Sequence, residues 1–197
     1  MNVTLLLGSI RNGRKSDRIA YYLEEKLKHH GVNAEVIDLM GTSLPLMQER
    51  VGYDPQLPQE VQAVSERLHQ ADALIFISPE YHGSFSGVLK NAVDYFWNEF
   101  SKKPIGVVAI SAGKFGGINA SSQLQHLVLS LGAFPMPTKL LVPEVGNVFD
   151  QKGQCYRETF VRDTERFINE YKWFADAIIG KKREDSNKSF ASLNTAI

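Results

Sequence analysis

The sequence predicts an α/β domain built on a doubly wound, five-stranded parallel sheet of order 2-1-3-4-5. Apolar runs and helical periodicities alternate along its 197 residues, which is the pattern of successive βαβ units. The runs Ala73-Leu74-Ile75-Phe76-Ile77 and Ile105–Ile110 are continuous rather than alternating, as strands buried on both faces must be. Gly31 and Gly132 fall where helix C-termini would need them, since glycine enters the left-handed region without penalty.

The elements follow in order. Val3–Leu7 is the first strand, and a helix begins at Ser16 with Ile19, Leu23 and Leu27 on one face, four residues being close to one turn. Ala34–Ile37 is a short second strand, and Pro58–Gln70 a helix that turns Val61, Val64 and Leu68 inward. Ala73–Ser78 and Gly87–Phe100 make the third strand and helix, and Ile105–Ser111 and Ile118–Leu131 the fourth. Thr138–Val142 is a weaker fifth strand, and Phe160–Ile179 a long last helix carrying Phe160, Phe167, Tyr171, Phe174 and Ile178. Five strands and five helices in this order describe a flavodoxin-like sheet. Residues 1–180 are expected to form one domain and residues 181–197, opening Lys-Lys-Arg-Glu-Asp-Ser, a polar tail. Residues 39–57 hold Pro45 and Pro55 and are too long for an ordinary connection, so they are expected to border a site or an interface.

Bulk properties narrow the function. Lys and Arg total 22 and Asp and Glu total 22, so net charge suggests neither a nucleic-acid nor a membrane partner. A single cysteine, Cys155, allows no internal disulfide and fits a reducing compartment. With no leader or membrane-spanning pattern in the sequence, the cytoplasm is the expected location. The five histidines show no metal-ligand spacing, and no metal is expected. Gly83-Ser84-Phe85-Ser86-Gly87 puts Phe85 where a nucleophile elbow needs its serine, which argues against a serine hydrolase.

Two loops carry the chemistry. In open α/β sheets ligands bind beyond the carboxyl ends of the strands. After the first strand come Gly8-Ser9-Ile10-Arg11-Asn12-Gly13-Arg14-Lys15-Ser16, with Arg11, Arg14, Lys15 and Arg18 set against Asp17 alone. Cations, hydroxyls and a helix N-terminus together suit an anion. Lys15 falls one place late for a P-loop, and the G-x-G-x-x-G of a dinucleotide turn is missing, so a monophosphate such as that of FMN fits best. After the third strand, Pro79, Glu80, Tyr81, His82 and Gly83 offer exposed amides and an aromatic wall, which suit the edge and face of a flat flavin ring.

Three motifs at three successive strand ends resemble the NADPH-dependent FMN reductase family, which includes quinone, azo and chromate reductases. They are Gly8-Ser9-Ile10-Arg11 with Ser16, Pro79-Glu80-Tyr81-His82-Gly83-Ser84-Phe85-Ser86-Gly87-Val88-Leu89-Lys90-Asn91, and Ser111-Ala112-Gly113-Lys114-Phe115-Gly116-Gly117. His82 stands where the family usually has Asn, and Ser86 where it often has Pro. The resemblance implies a flavin enzyme that takes hydride from NADPH or NADH onto bound FMN and passes electrons to a second, small-molecule acceptor. It implies FMN contacts from Ser9, Arg11, Lys15, Ser16, Pro79, Glu80, Tyr81, His82, Gly83, Ser111 and Gly113. No side chain need act as acid or base, and Glu80 is read as a loop organiser. A non-enzymatic electron carrier of the flavodoxin type is the alternative, although such carriers tend to be strongly acidic. The third helix carries Val88, Leu89, Ala92, Val93, Tyr95, Phe96 and Trp97 over a face wider than one core contact needs. Together with the family's dimers and tetramers, this width predicts a homo-oligomer with Phe96 or Trp97 at its interface.

Overall fold

The computed structural model describes residues 1–42, 44–53 and 56–194, with side chains described through residue 185. Pro55 and the last three residues of the expected tail lie outside the described residues. The elements are β1 (Asn2–Leu7), α1 (Ser16–His29), β2 (Asn33–Asp38), α2 (Gln59–Gln70), β3 (Ala73–Pro79), α3 (Gly87–Asp94), β4 (Pro104–Ile110), α4 (Ile118–Ser130), β5 (Phe134–Val142) and α5 (Glu158–Asn194). All strand pairs are parallel, in the order β2-β1-β3-β4-β5, as the sequence predicts. β3 and β4 are buried along their whole lengths, which is why their runs do not alternate.

The sheet divides two cores. On one face α1 and α5 cover it with Ile19, Leu23, Leu27, Phe167 and Tyr171. On the other, α2, α3 and α4 contribute Val61, Val64, Leu89, Val93 and Leu124. Gly106 lets α5 approach β4, since a Cβ there would lie 3.0 Å from the Phe167 ring. Each strand thus delivers its carboxyl end to one edge of the molecule, where the loops after β1, β3 and β4 meet.

Three elements differ from the sequence reading. α3 stops at Asp94 instead of Phe100. Beyond it the chain turns, and Glu99, itself buried, accepts the Trp97 amide (3.0 Å) and the Ser65 hydroxyl (2.6 Å). That turn folds Phe96 and Phe100 into the core, where Phe100 meets Phe76 edge to face at 5.8 Å. β5 starts at Phe134, ahead of Thr138, through an irregular register opposite Ile105–Val107 that accommodates Pro135 and Pro137. α5 continues through residues 181–194, so most of the expected tail is helical. Lys181 supports this extension with a 2.8 Å pair to Asp185 one turn on. No helix among the described residues is long and apolar enough to cross a membrane.

The long connection after β2 is tied to α3. Asn91 donates to the Pro45 carbonyl (2.7 Å) and accepts the Met47 amide (2.9 Å), and Val51 donates to the Tyr95 carbonyl (2.9 Å). Leu44, Met47, Val51 and Leu57 pack on the core beneath α2 and α3. The broad apolar face of the third helix is therefore largely covered by its own chain. Phe96 is 1% exposed, which removes it as an interface residue. Trp97, 53% exposed, lies outside that cover, with the Arg50 guanidinium 5.1 Å from its ring.

Candidate functional site

The first loop leaves β1 under tight constraint. A Cβ on Gly8 would stand 2.6 Å from the Leu89 Cβ, so only glycine lets the loop run over α3 at this point. The Gly8 carbonyl accepts from the Ser86 hydroxyl, and Ser86 Oγ in turn caps α3 by accepting the Leu89 amide (3.2 Å). The Ser86 amide donates to Ser78 Oγ (2.9 Å). Ser78 and Ser86 therefore knit the β1 and β3 loops together. The sequence reading missed this role for Ser86; its signal was a serine directly before a helix, the preferred N-cap.

Ser9 in the loop and Ser16 at the start of α1 are both buried, and among the described residues Ser16 Oγ has no hydrogen-bond partner. A buried hydroxyl without a partner is costly, and here it sits in the first turn of a helix with no side-chain cap. Orphan amides and a partial positive charge accompany such a terminus. An anion accepting from Ser16 would satisfy the hydroxyl, so the donor set fits a phosphate.

The cations of this loop divide. Arg14 donates to both carboxylate oxygens of Asp38, with Nη1 to Oδ1 at 2.7 Å, and to the Ser9 carbonyl. Its charge is thereby committed within the protein. Arg18 reaches the Asp150 carbonyl at 3.3 Å. The side chains of Arg11 and Lys15 are exposed and remain available to a ligand.

The second loop is a two-residue turn. His82 and Gly83 both take positive φ, 50° and 77°, and Tyr81 and Ser84 exchange backbone bonds at 2.8 and 3.0 Å. Two successive left-handed residues make a type I′ turn. This explains His82 in the place of Asn, because Asn and His are among the side chains that tolerate the left-handed region best. Gln123 of α4 clasps the turn, donating to the Gly83 carbonyl (2.7 Å) and accepting from Ser84 Oγ (2.7 Å). Replacing His82 with Asn should leave thermal stability nearly unchanged. His82→Val should cost about 1–2 kcal/mol in the same melt, as a branched side chain forced to positive φ does.

The Glu80 side chain turns to the start of α4. Its Oε2 accepts the Ala120 amide (3.0 Å) in the first turn of α4, and its amide donates to the Ile110 carbonyl (2.8 Å). Such bonds belong to an organiser of loops. Pro79 is the buried last residue of β3, whereas Tyr81 and His82 are exposed.

The third loop leaves β4 at Ser111, whose amide donates to the Val142 carbonyl (3.0 Å) and whose hydroxyl donates to the Gly113 carbonyl (2.9 Å). Gly117 has φ 81°, and a Cβ there would sit 2.9 Å from the Ala109 Cβ, so this glycine seats α4 against β4. Gly113 is exposed, and Phe115 projects 81% exposed at the loop tip. Beside the first loop, a cavity of about 450 Å³ opens between Ile10, Leu39, Met40, Leu46, Val88 and Asn91. Its size is that of an ordinary small-molecule pocket.

Comparison with known proteins agrees with this geometry. A family profile described as NADPH-dependent FMN reductase matches residues 1–147. The FMN-dependent NADPH-azoreductase of Staphylococcus aureus is 33% identical over 187 residues, covering 91% of this chain and 94% of that protein. Among solved structures, the flavoenzyme NAD(P)H:(acceptor) oxidoreductase FerB from Paracoccus denitrificans superposes with a TM-score of 0.73 at 22% identity, covering 90% of this chain and 96% of FerB. An NAD(P)H:quinone oxidoreductase from Methanothermobacter marburgensis gives 0.57 at 18% identity, over 89% of this chain and 97% of that one. The two superpositions establish the flavodoxin-like fold.

Proposed function

The chain belongs to the NADPH-dependent FMN reductase family, and from that membership we propose how its three loops serve an NAD(P)H-dependent flavin oxidoreductase. FMN is its cofactor, and NADPH or NADH its electron donor. When bound, FMN would supply the redox chemistry, hydride transfer from the nicotinamide and electron transfer to a second acceptor. The residues of the chain bind, orient and expose it.

Ser9, Ser16, Arg11 and Lys15 hold the phosphate at the start of α1. The buried Ser16 hydroxyl, without a partner among the described residues, carries this reading, because it is a donor in place before any ligand arrives. Pro79 to Gly83 and Ser111 with Gly113 border the ring from the ends of β3 and β4. Tyr81 stands as an exposed wall, and Glu80 and Gln123 keep the turn that carries it in register with α4. No side chain is assigned as acid or base.

The acceptor class is small and organic, such as a quinone, an azo compound or a free flavin, or else a metal oxyanion. We also read the chain as a homo-oligomer, a dimer or tetramer. Support for that reading comes from the exposed apolar side chains Ile10, Met40, Leu46 and Trp97, and sedimentation velocity at micromolar concentration tests it. For the activity, anaerobic stopped-flow mixing with NADPH should bleach the protein's flavin absorbance within turnover time. A quinone or azo dye should then restore the absorbance with ping-pong kinetics. A protein that holds FMN yet leaves both NADPH and NADH unoxidised would fit the carrier instead.

A further inference from the structure

Arg14 lies in the phosphate loop and yet turns its charge inward. Both its Nη atoms engage Asp38, and Nη1 also donates to the carbonyl of Ser9. Asp38 is the last residue of β2, opposite Leu7 of β1 in the sheet register, so it is a fixed post. Its Oδ1 also accepts the Met40 amide at 2.9 Å. The loop is closed on itself by the Arg14 amide, which donates to the Arg11 carbonyl at 3.1 Å, with Gly13 between them at φ 69°. The two side chains are only 10% and 20% exposed. Burial works to raise the Asp38 carboxyl, but hydrogen bonds from Arg14 and the Met40 amide outweigh it and hold Asp38 below the ordinary carboxylate range.

We propose that Arg14 and Asp38 are a positioning pair that sets the shape of the phosphate loop without touching the phosphate. The loop's preference for a phosphorylated flavin then depends on the geometry of this pair, not on the positive charge of Arg14. The inference rests on the phosphate assignment made above and goes one step past it. A planar guanidinium spans three acceptors at once, which an ammonium on a flexible stem does not. By fixing the Ser9 carbonyl, Arg14 fixes the peptide from which Ser9 and Ile10 project. With Asp38 cancelling Arg14, Arg11 and Lys15 are left to meet the phosphate charge.

The experiment is a fluorescence titration of the apoprotein with FMN and with riboflavin, alongside its thermal melt, for the wild type, Arg14→Lys, Asp38→Asn and Arg11→Ala. Arg14→Lys keeps the charge and breaks the fork. It should weaken FMN binding about tenfold or more while riboflavin binding moves by less than about threefold. Asp38→Asn should shift the ratio the same way. Tighter FMN binding by Asp38→Asn would overturn the proposal, because Arg14 would then be a charge held in reserve. So would an unchanged FMN-to-riboflavin ratio in Arg14→Lys, or equal losses for both ligands that follow the melting temperature. Loss of the ratio in Arg11→Ala with its retention in Arg14→Lys would reject the pair and spare the phosphate assignment. Retention in Arg11→Ala as well would reject both.

Discussion

Phe96→Glu is expected to unfold the protein and not to divide an assembly. The ring is 1% exposed, tilted against Tyr95 at 6.1 Å and edge-on to Phe100 at 6.3 Å. Emptying an aromatic site of this kind costs about 3–5 kcal/mol, and an unpaired carboxylate in the cavity adds to that cost. Since a domain of this size has a total stability of about 5–15 kcal/mol, the variant should melt far below the wild type or fail to accumulate. Trp97→Glu is the control three residues past the end of α3. Half exposed, with the Arg50 guanidinium over its ring, it should change the melt by less than about 1 kcal/mol. If Trp97 contributes to an assembly, only this second variant should sediment as a folded, smaller species. A folded Phe96→Glu protein that sediments as a monomer would mean that the ring is not in the core.

Arg11→Ala should weaken FMN binding by about 1.5–3 kcal/mol, the range for a hydrogen bond to a charged group. Arg11 is exposed and free of the Asp38 pairing that occupies Arg14. Riboflavin has no phosphate and should bind the variant and the wild type alike. The difference should shrink as salt rises, because an exposed cation is screened. Equal losses for both flavins would place Arg11 away from the phosphate.

The strand order and the positions of the three motif-bearing loops were legible because their signals are local. Continuous apolar runs mark β1, β3 and β4, and each motif falls directly after one of them. The end of α3 was not legible. Phe96 and Phe100 continue a helical spacing, and only the Glu99 bonds show the chain turning beneath them. β5 was read short because Pro135 and Pro137 argue against a strand, and the irregular pairing with β4 that admits them depends on a neighbour. The apolar spacing of α5 ends at Ile179, so the sequence reading stopped there, although charged helix formers carry the helix on.

In the candidate site, the residue types were readable and their partners were not. Four cations in the first loop looked equivalent until Asp38, 24 residues from Arg14, claimed one of them. His82 reads as an odd ligand in sequence, and in the fold it is a turn residue with φ of 50°. Asn91 closes the second motif without a role that its sequence could assign, and Gln123 lies outside all three motifs. Their work is to hold loops that are remote in sequence, Pro45–Met47 and Gly83–Ser84.

Ser16→Ala probes the phosphate site most directly, because its two effects have opposite signs. In the apoprotein the change removes a buried hydroxyl that has no partner among the described residues, so the melting temperature should stay level or rise. In the titration the same change removes a donor to the phosphate, and FMN should bind about tenfold or more weaker while riboflavin binding is little altered. An apoprotein that loses stability, together with FMN affinity equal to that of the wild type, would contradict the account.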